Sequence, residues 1–175
     1  MIAFSLLEGN GLMLRSKLIK IFLSLIFTTI PLRADPISLQ GEWQLMSAEL
    51  IVGENTFPTF DPTTHQMMKI MTDSHFAFAS KGPERPNFTS YALSTDEKVV
   101  AFENFGGGAG RYEFDGTTYT EHVDYSKYPN YEGKSLSFKV TIEGDILTQE
   151  GTYPLVALGL GKEDGYVKEV YQRIP

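Results

Sequence analysis

From Asp35 onward the sequence predicts an all-β fold: a single antiparallel up-and-down barrel of about eight to ten strands joined in chain order. Three observations carry that prediction. Apolar and polar residues alternate with period two through most of this segment, and helical periodicity is weak. Short turn signals, Asp73-Ser74, Asp115-Gly116 and Gly144-Asp145, separate the alternating runs. No stretch reads as a crossover helix, so consecutive strands are expected to pair as neighbours, and closing the sheet removes its exposed edges. A β-sandwich is the alternative arrangement.

The elements follow in order. Gly41–Val52 reads as the first strand, and the Pro-containing stretch Thr56–Thr64 as a loop. Met67–Thr72 and His75–Ala79 flank Asp73-Ser74 as a hairpin. Lys81–Asn87 is a second Pro-rich loop, with a short strand expected at Thr89–Leu93 and another at Lys98–Phe105. Arg111–Phe114 and Thr117–Tyr125 flank Asp115-Gly116, where glycine supplies the positive φ of a tight turn. Lys134–Glu143 and Ile146–Gly151 flank Gly144-Asp145, and Gly165–Ile174 is the last strand. The glycines of Gly106–Gly110 precede no Gly-Lys-Ser/Thr and no expected helix. They read as a bulged strand entry and not as a phosphate loop.

Turn registers assign the faces, because side chains alternate along a strand. Tyr112, Phe114, Tyr119, Glu121, Val123 and Tyr125 share one face. Leu136, Phe138, Val140 and Ile142 share theirs with Leu147 and Gln149, and Met67, Lys69 and Met71 share theirs with Phe76 and Phe78. The inner surface is therefore aromatic and aliphatic, with three polar exceptions: Lys69, Glu121 and Gln149. A buried charge is costly unless paired or hydrogen-bonded. These three are expected either to bond one another or to orient the polar end of a ligand.

Composition narrows the chemistry. The chain has 175 residues, room for one domain or two small ones. It contains no cysteine, which excludes disulfides, thiolate nucleophiles and Cys-ligated metals. Fifteen basic residues stand against 22 acidic ones, a net charge of −7, the wrong sign for a nucleic-acid binder. His65, His75 and His122 form no close metal-ligand pair, and no G-x-S-x-G elbow is present. No cofactor and no metal are expected.

Residues 1–34 read as an address. Arg15, Lys17 and Lys20 precede an uncharged run from Ile21 to Leu32, and Leu32-Arg33-Ala34 has the layout of a cleavage site. The run is shorter than the ~20 residues of a membrane-spanning helix. A signal peptide cleaved after Ala34 is expected, with Met13 as an alternative start and an uncleaved anchor as the competing reading. The remainder, 35–175, would be a periplasmic or secreted domain with no stable membrane span, more acidic than the whole chain.

Gly41-Glu42-Trp43 opens the first strand and Arg173 ends the last. This pairing resembles the lipocalin, or calycin, signature, in which the Trp closes one barrel end and the Arg packs across its indole. GEWQLMSAEL from Gly41, KIMTDSHFAF from Lys69, GGGAGRYEFDGTTYTEHVDYS from Gly106, GKSLSFKVTIEGD from Gly133 and EVYQRI from Glu169 are similar to exported bacterial lipocalin-like domains of unknown function. The segment Pro83–Val100 fits that pattern least. The resemblance implies a barrel that takes a small apolar or amphipathic molecule and implies no established reaction. On that basis a monomer is expected, with Met67, Met71, Phe76, Phe78, Tyr112, Tyr119, Tyr125 and Phe138 as the wall of a ligand site. Lys69, Glu121 and Gln149 would orient the ligand. Two alternatives stand beside it. One is an envelope interaction module without a small ligand. The other, held behind the non-catalytic readings, is a decarboxylase- or isomerase-like barrel enzyme using Tyr112, Tyr119 and Glu121.

Overall fold

A computed structural model describes residues 38–175. The expected signal peptide, residues 1–34, lies outside the described residues. Nine antiparallel strands form one sheet: β1 (Gly41–Val52), β2 (Asn55–Phe60), β3 (Gln66–Met71), β4 (His75–Lys81), β5 (Phe105–Phe114), β6 (Thr118–Ser126), β7 (Ser135–Glu143), β8 (Ile146–Tyr153) and β9 (Gly165–Arg173). Neighbours pair in chain order from β3 to β9, and β1 pairs with β3 on one side and β9 on the other. The sheet thus closes into an eight-stranded barrel, with β2 as an extra strand on β1, and the sandwich alternative falls away.

The tight turns at Asp73-Ser74, Asp115–Thr117 and Gly144-Asp145 lie at the same end as Gly41 and Arg173. Trp43 plugs this end. It is fully buried, its Nε1 donates to Leu39 O at 2.9 Å, and the Arg173 guanidinium lies 4.1 Å from its ring centroid. Arg173 Nη1 also donates to Gln40 O at 2.7 Å. Gly41, at φ 132, passes so close beneath that a Cβ there would sit 2.5 Å from Arg173 Nη1. The Gly-x-Trp and the distant Arg are therefore one packed unit.

Five sequence expectations are corrected. Lys98–Phe105 is not a strand: Thr95–Glu103 forms a helix, α1, and the Thr89–Leu93 strand is absent. Ser94 Oγ accepts from Glu97 N while Glu97 Oε2 accepts from Ser94 N. This reciprocal cap outweighs the strand preference of Val99 and Val100. Thr56–Thr64 is not wholly loop, because Asn55–Phe60 hairpins back onto β1. Pro58 is tolerated because β2 has only one paired edge. The Asp115 turn centres on Gly116-Thr117: Asp115 Oδ1 accepts from Thr117 N and Thr118 N, and Phe114 pairs with Tyr119. That shift of two residues leaves the faces unchanged. Finally, Tyr125 points outward, at 71% exposure. Ala109 pairs with Tyr125 but Gly110 with Val123, so Asp124 is an extra residue in β6. Such a bulge reverses the alternation beyond it. A Cβ on Gly110 would strike His122 O, which is why glycine stands opposite the bulge.

Removing the plug tests this account. Trp43→Ala should cost about 3–5 kcal/mol, the usual range for emptying a large buried aromatic site, read as a lower midpoint in urea titration followed by circular dichroism. A change below about 1 kcal/mol would show that the barrel end does not depend on it.

Candidate functional site

The inner faces of β3 to β9 do not fill the barrel. A cavity of about 440 Å³ extends from the middle of the barrel to the end opposite Trp43, within the ~300–1,000 Å³ range of ligand sites. Its mouth is formed by the end of β4, the residues after α1, the start of β5 and the segment after β6. Phe76, Phe78, Val123, Leu136 and Phe138 form the apolar wall. Part of the space comes from the β5 glycines, since Gly106, Gly107 and Gly108 line the cavity without side chains. A Cβ on Gly108 would lie 2.7 Å from the Phe78 ring, so glycine there also leaves room for that ring.

The floor is polar. Lys69 Nζ lies 2.6 Å from Glu121 Oε1 and donates to Gln149 Oε1 at 3.3 Å. Gln149 Nε2 donates to Glu169 Oε2 at 2.7 Å, and the Tyr171 hydroxyl donates to the same oxygen at 2.6 Å. Lys69 sits over the rings of Phe76, Tyr119 and Tyr171 at 5.6, 5.2 and 5.5 Å. Four strands supply this chain of groups: β3, β6, β8 and β9. Glu169 is enclosed by protein but keeps part of its surface open to the cavity. Burial pushes its carboxyl above the ordinary value of 4.5, against the pull of Lys69 and the Tyr171 hydrogen bond. Burial, reinforced by Glu169, pushes the Tyr171 phenol well up, so that it stays a donor. Burial, then Glu121, does the same to Tyr119. The Tyr119 hydroxyl is fully enclosed and has no partner at hydrogen-bonding geometry.

Of the residues expected to form a ligand site, Lys69, Phe76, Phe78, Glu121, Phe138 and Gln149 line this cavity, together with Met67. Met71, Tyr112 and Tyr119 do not: they pack toward the closed end, and the Tyr112 hydroxyl is spent on Thr72 O at 2.5 Å. Tyr125 is outside altogether. The proposed enzyme set of Tyr112, Tyr119 and Glu121 therefore does not share an accessible surface. Sequence reasoning missed Glu169, although Gly165, Val167, Glu169 and Tyr171 alternate with exposed Tyr166 and Lys168 and share the inner face. It also missed Tyr131 and Tyr153, whose hydroxyls bond at 2.9 Å on the cavity wall.

A closed antiparallel barrel, plugged at one end by an Arg-covered Trp and open at the other into a mixed cavity, defines a lipocalin-like, ligand-binding type of domain. The family model described as a lipocalin-like domain matches residues 40–174, and the chain belongs to that family. No curated protein matches it. Among the described residues no cluster of His, Asp and Glu could hold a metal ion, and no helix is long and apolar enough to cross a membrane.

Two outcomes follow from the floor. Lys69→Met strands the buried Glu121 charge and should cost about 3–5 kcal/mol, whereas Lys69→Met with Glu121→Leu should recover most of it; chemical denaturation of both variants checks this. The second outcome concerns Glu169, faced by Lys69, Glu121 and Tyr171. Its folded pKa is raised, so the unfolded chain ionises first as pH rises. Stability is then full below the ordinary carboxylate value and is lost as pH climbs through the folded value. The melting temperature of Glu169→Gln should gain on the wild type over that climb and then hold a constant lead; a difference independent of pH would contradict it.

Proposed function

We propose that this protein is an exported, monomeric carrier or sensor that binds one small amphipathic molecule inside the barrel, polar end down. The observation that carries the reading is the cavity itself: apolar walls converging on a polar floor, open to solvent. A barrel serving only as a scaffold gains from filling this space, since an unfilled interior forfeits packing. The floor groups also have spare hydrogen-bonding capacity after bonding each other, which suits orienting a ligand. Export is supported by the basic patch, apolar run and small residue at Ala34.

Native mass spectrometry of the protein purified gently from its own host tests both parts. The expected spectrum shows a polypeptide beginning at Asp35 with a reproducible extra mass that is lost on denaturation. A chain that retains residues 1–34 would overturn export by cleavage. A spectrum without added mass, together with specific capture of a protein partner, would favour an envelope interaction module instead.

A further inference from the structure

The charge and hydrogen-bond inventory of the floor says which polar end it suits, granted the ligand-binding reading above. Lys69 is the floor's single cation, and it is already engaged. It is 3% exposed, it pairs with Glu121 and Gln149, and three aromatic faces surround it. It has little left for an incoming anion. The carboxylates are less used. Glu121 engages Lys69 through Oε1, and Glu169 takes both its donors on Oε2. Among the described residues no donor bonds Glu169 Oε1, and the Tyr119 hydroxyl beside the Glu121 carboxyl makes no bond of good geometry to it. The floor therefore holds one carboxyl group more than it has cations, and carboxylate oxygens left without a formed hydrogen bond.

We infer that the cavity floor recognises a ligand through a protonated amine, received by the free carboxylate oxygens of Glu121 and Glu169. An ammonium supplies what the floor lacks, a positive charge and several N–H donors. The neighbouring rings of Phe76 and Tyr171 present π faces, which also favour a cation. A second buried carboxylate is costly without a counter-charge, and the ammonium provides one. The raised carboxyl of Glu169 agrees, since burial there disfavours a charge without a counter-ion. The mouth has the opposite balance, Lys81 and Lys127 against Glu103. Lys81 lies three residues beyond Phe78, the partner of Lys69, so the acidic floor is roughly 10 Å deeper at ~3.3 Å per residue. The amine end therefore goes in first and the apolar body fills the wall behind it.

The test is a matched set of probes differing only at the head: 4-phenylbutylamine, 4-phenylbutanol and 4-phenylbutyrate, titrated calorimetrically into the purified protein at neutral pH. The amine should bind at least tenfold more tightly than the alcohol, and the carboxylate most weakly. Glu169→Gln should abolish the preference for the amine while keeping alcohol binding, with far-UV circular dichroism reporting that the variant is folded. Lys139→Gln, on the exposed outer face of β7, should leave the preference intact. Binding of the alcohol or carboxylate as tightly as the amine would overturn this inference alone, as would an amine preference unchanged in Glu169→Gln. Failure of all three probes to saturate the protein would overturn it together with the ligand-binding reading.

Discussion

β1 carries backbone hydrogen bonds along both of its edges, to β9 on one side and to β3 and then β2 on the other. Everything else depends on that double engagement. It turns an open meander into a closed wall, leaves no long unpaired edge, and creates an inside from which water can be excluded. It also places Trp43 opposite both Lys69 and Arg173, so the strand that closes the sheet also plugs its end. The cavity is the remainder of that enclosed volume.

The polar floor is the costly part of this arrangement. Two carboxyl groups and an ammonium have left water, and only mutual hydrogen bonds across four strands offset the loss. Each group is held by a neighbour on another strand, so the cluster ties β3, β6, β8 and β9 into one register. The same geometry leaves acceptor oxygens turned toward the cavity. A purely structural cluster needs no open volume beside it, whereas this one borders about 440 Å³.

The mouth owes its shape to local departures from regular sheet. The Asp124 bulge turns Tyr125 out and leaves Ser126 lining the cavity. The glycines of β5 withhold side chains where the wall would otherwise close. α1 buries none of its residues and rests beside the mouth, held by its own cap. Regular strands thus build the closed end, and irregular ones the open end.

Sequence alone determined the strand alternation, the Gly144-Asp145 and Asp73-Ser74 registers, the Trp43–Arg173 unit and the inward direction of Lys69, Glu121 and Gln149. All but the Trp43–Arg173 unit rest on period-two patterning and on turns, which act over a few residues; that unit was implied by the resemblance to the lipocalin signature. Even α1 was legible in principle, through the Ser94–Glu97 spacing. Tertiary structure decided the rest. Bulges are set by a partner strand, so Tyr125 could not be placed from its own neighbours. Glu169 joined the floor only when β9 met β8 and β1. Which inward side chains pack and which line a cavity depends on how closure spaces strands far apart in the chain. No local pattern encodes that distance.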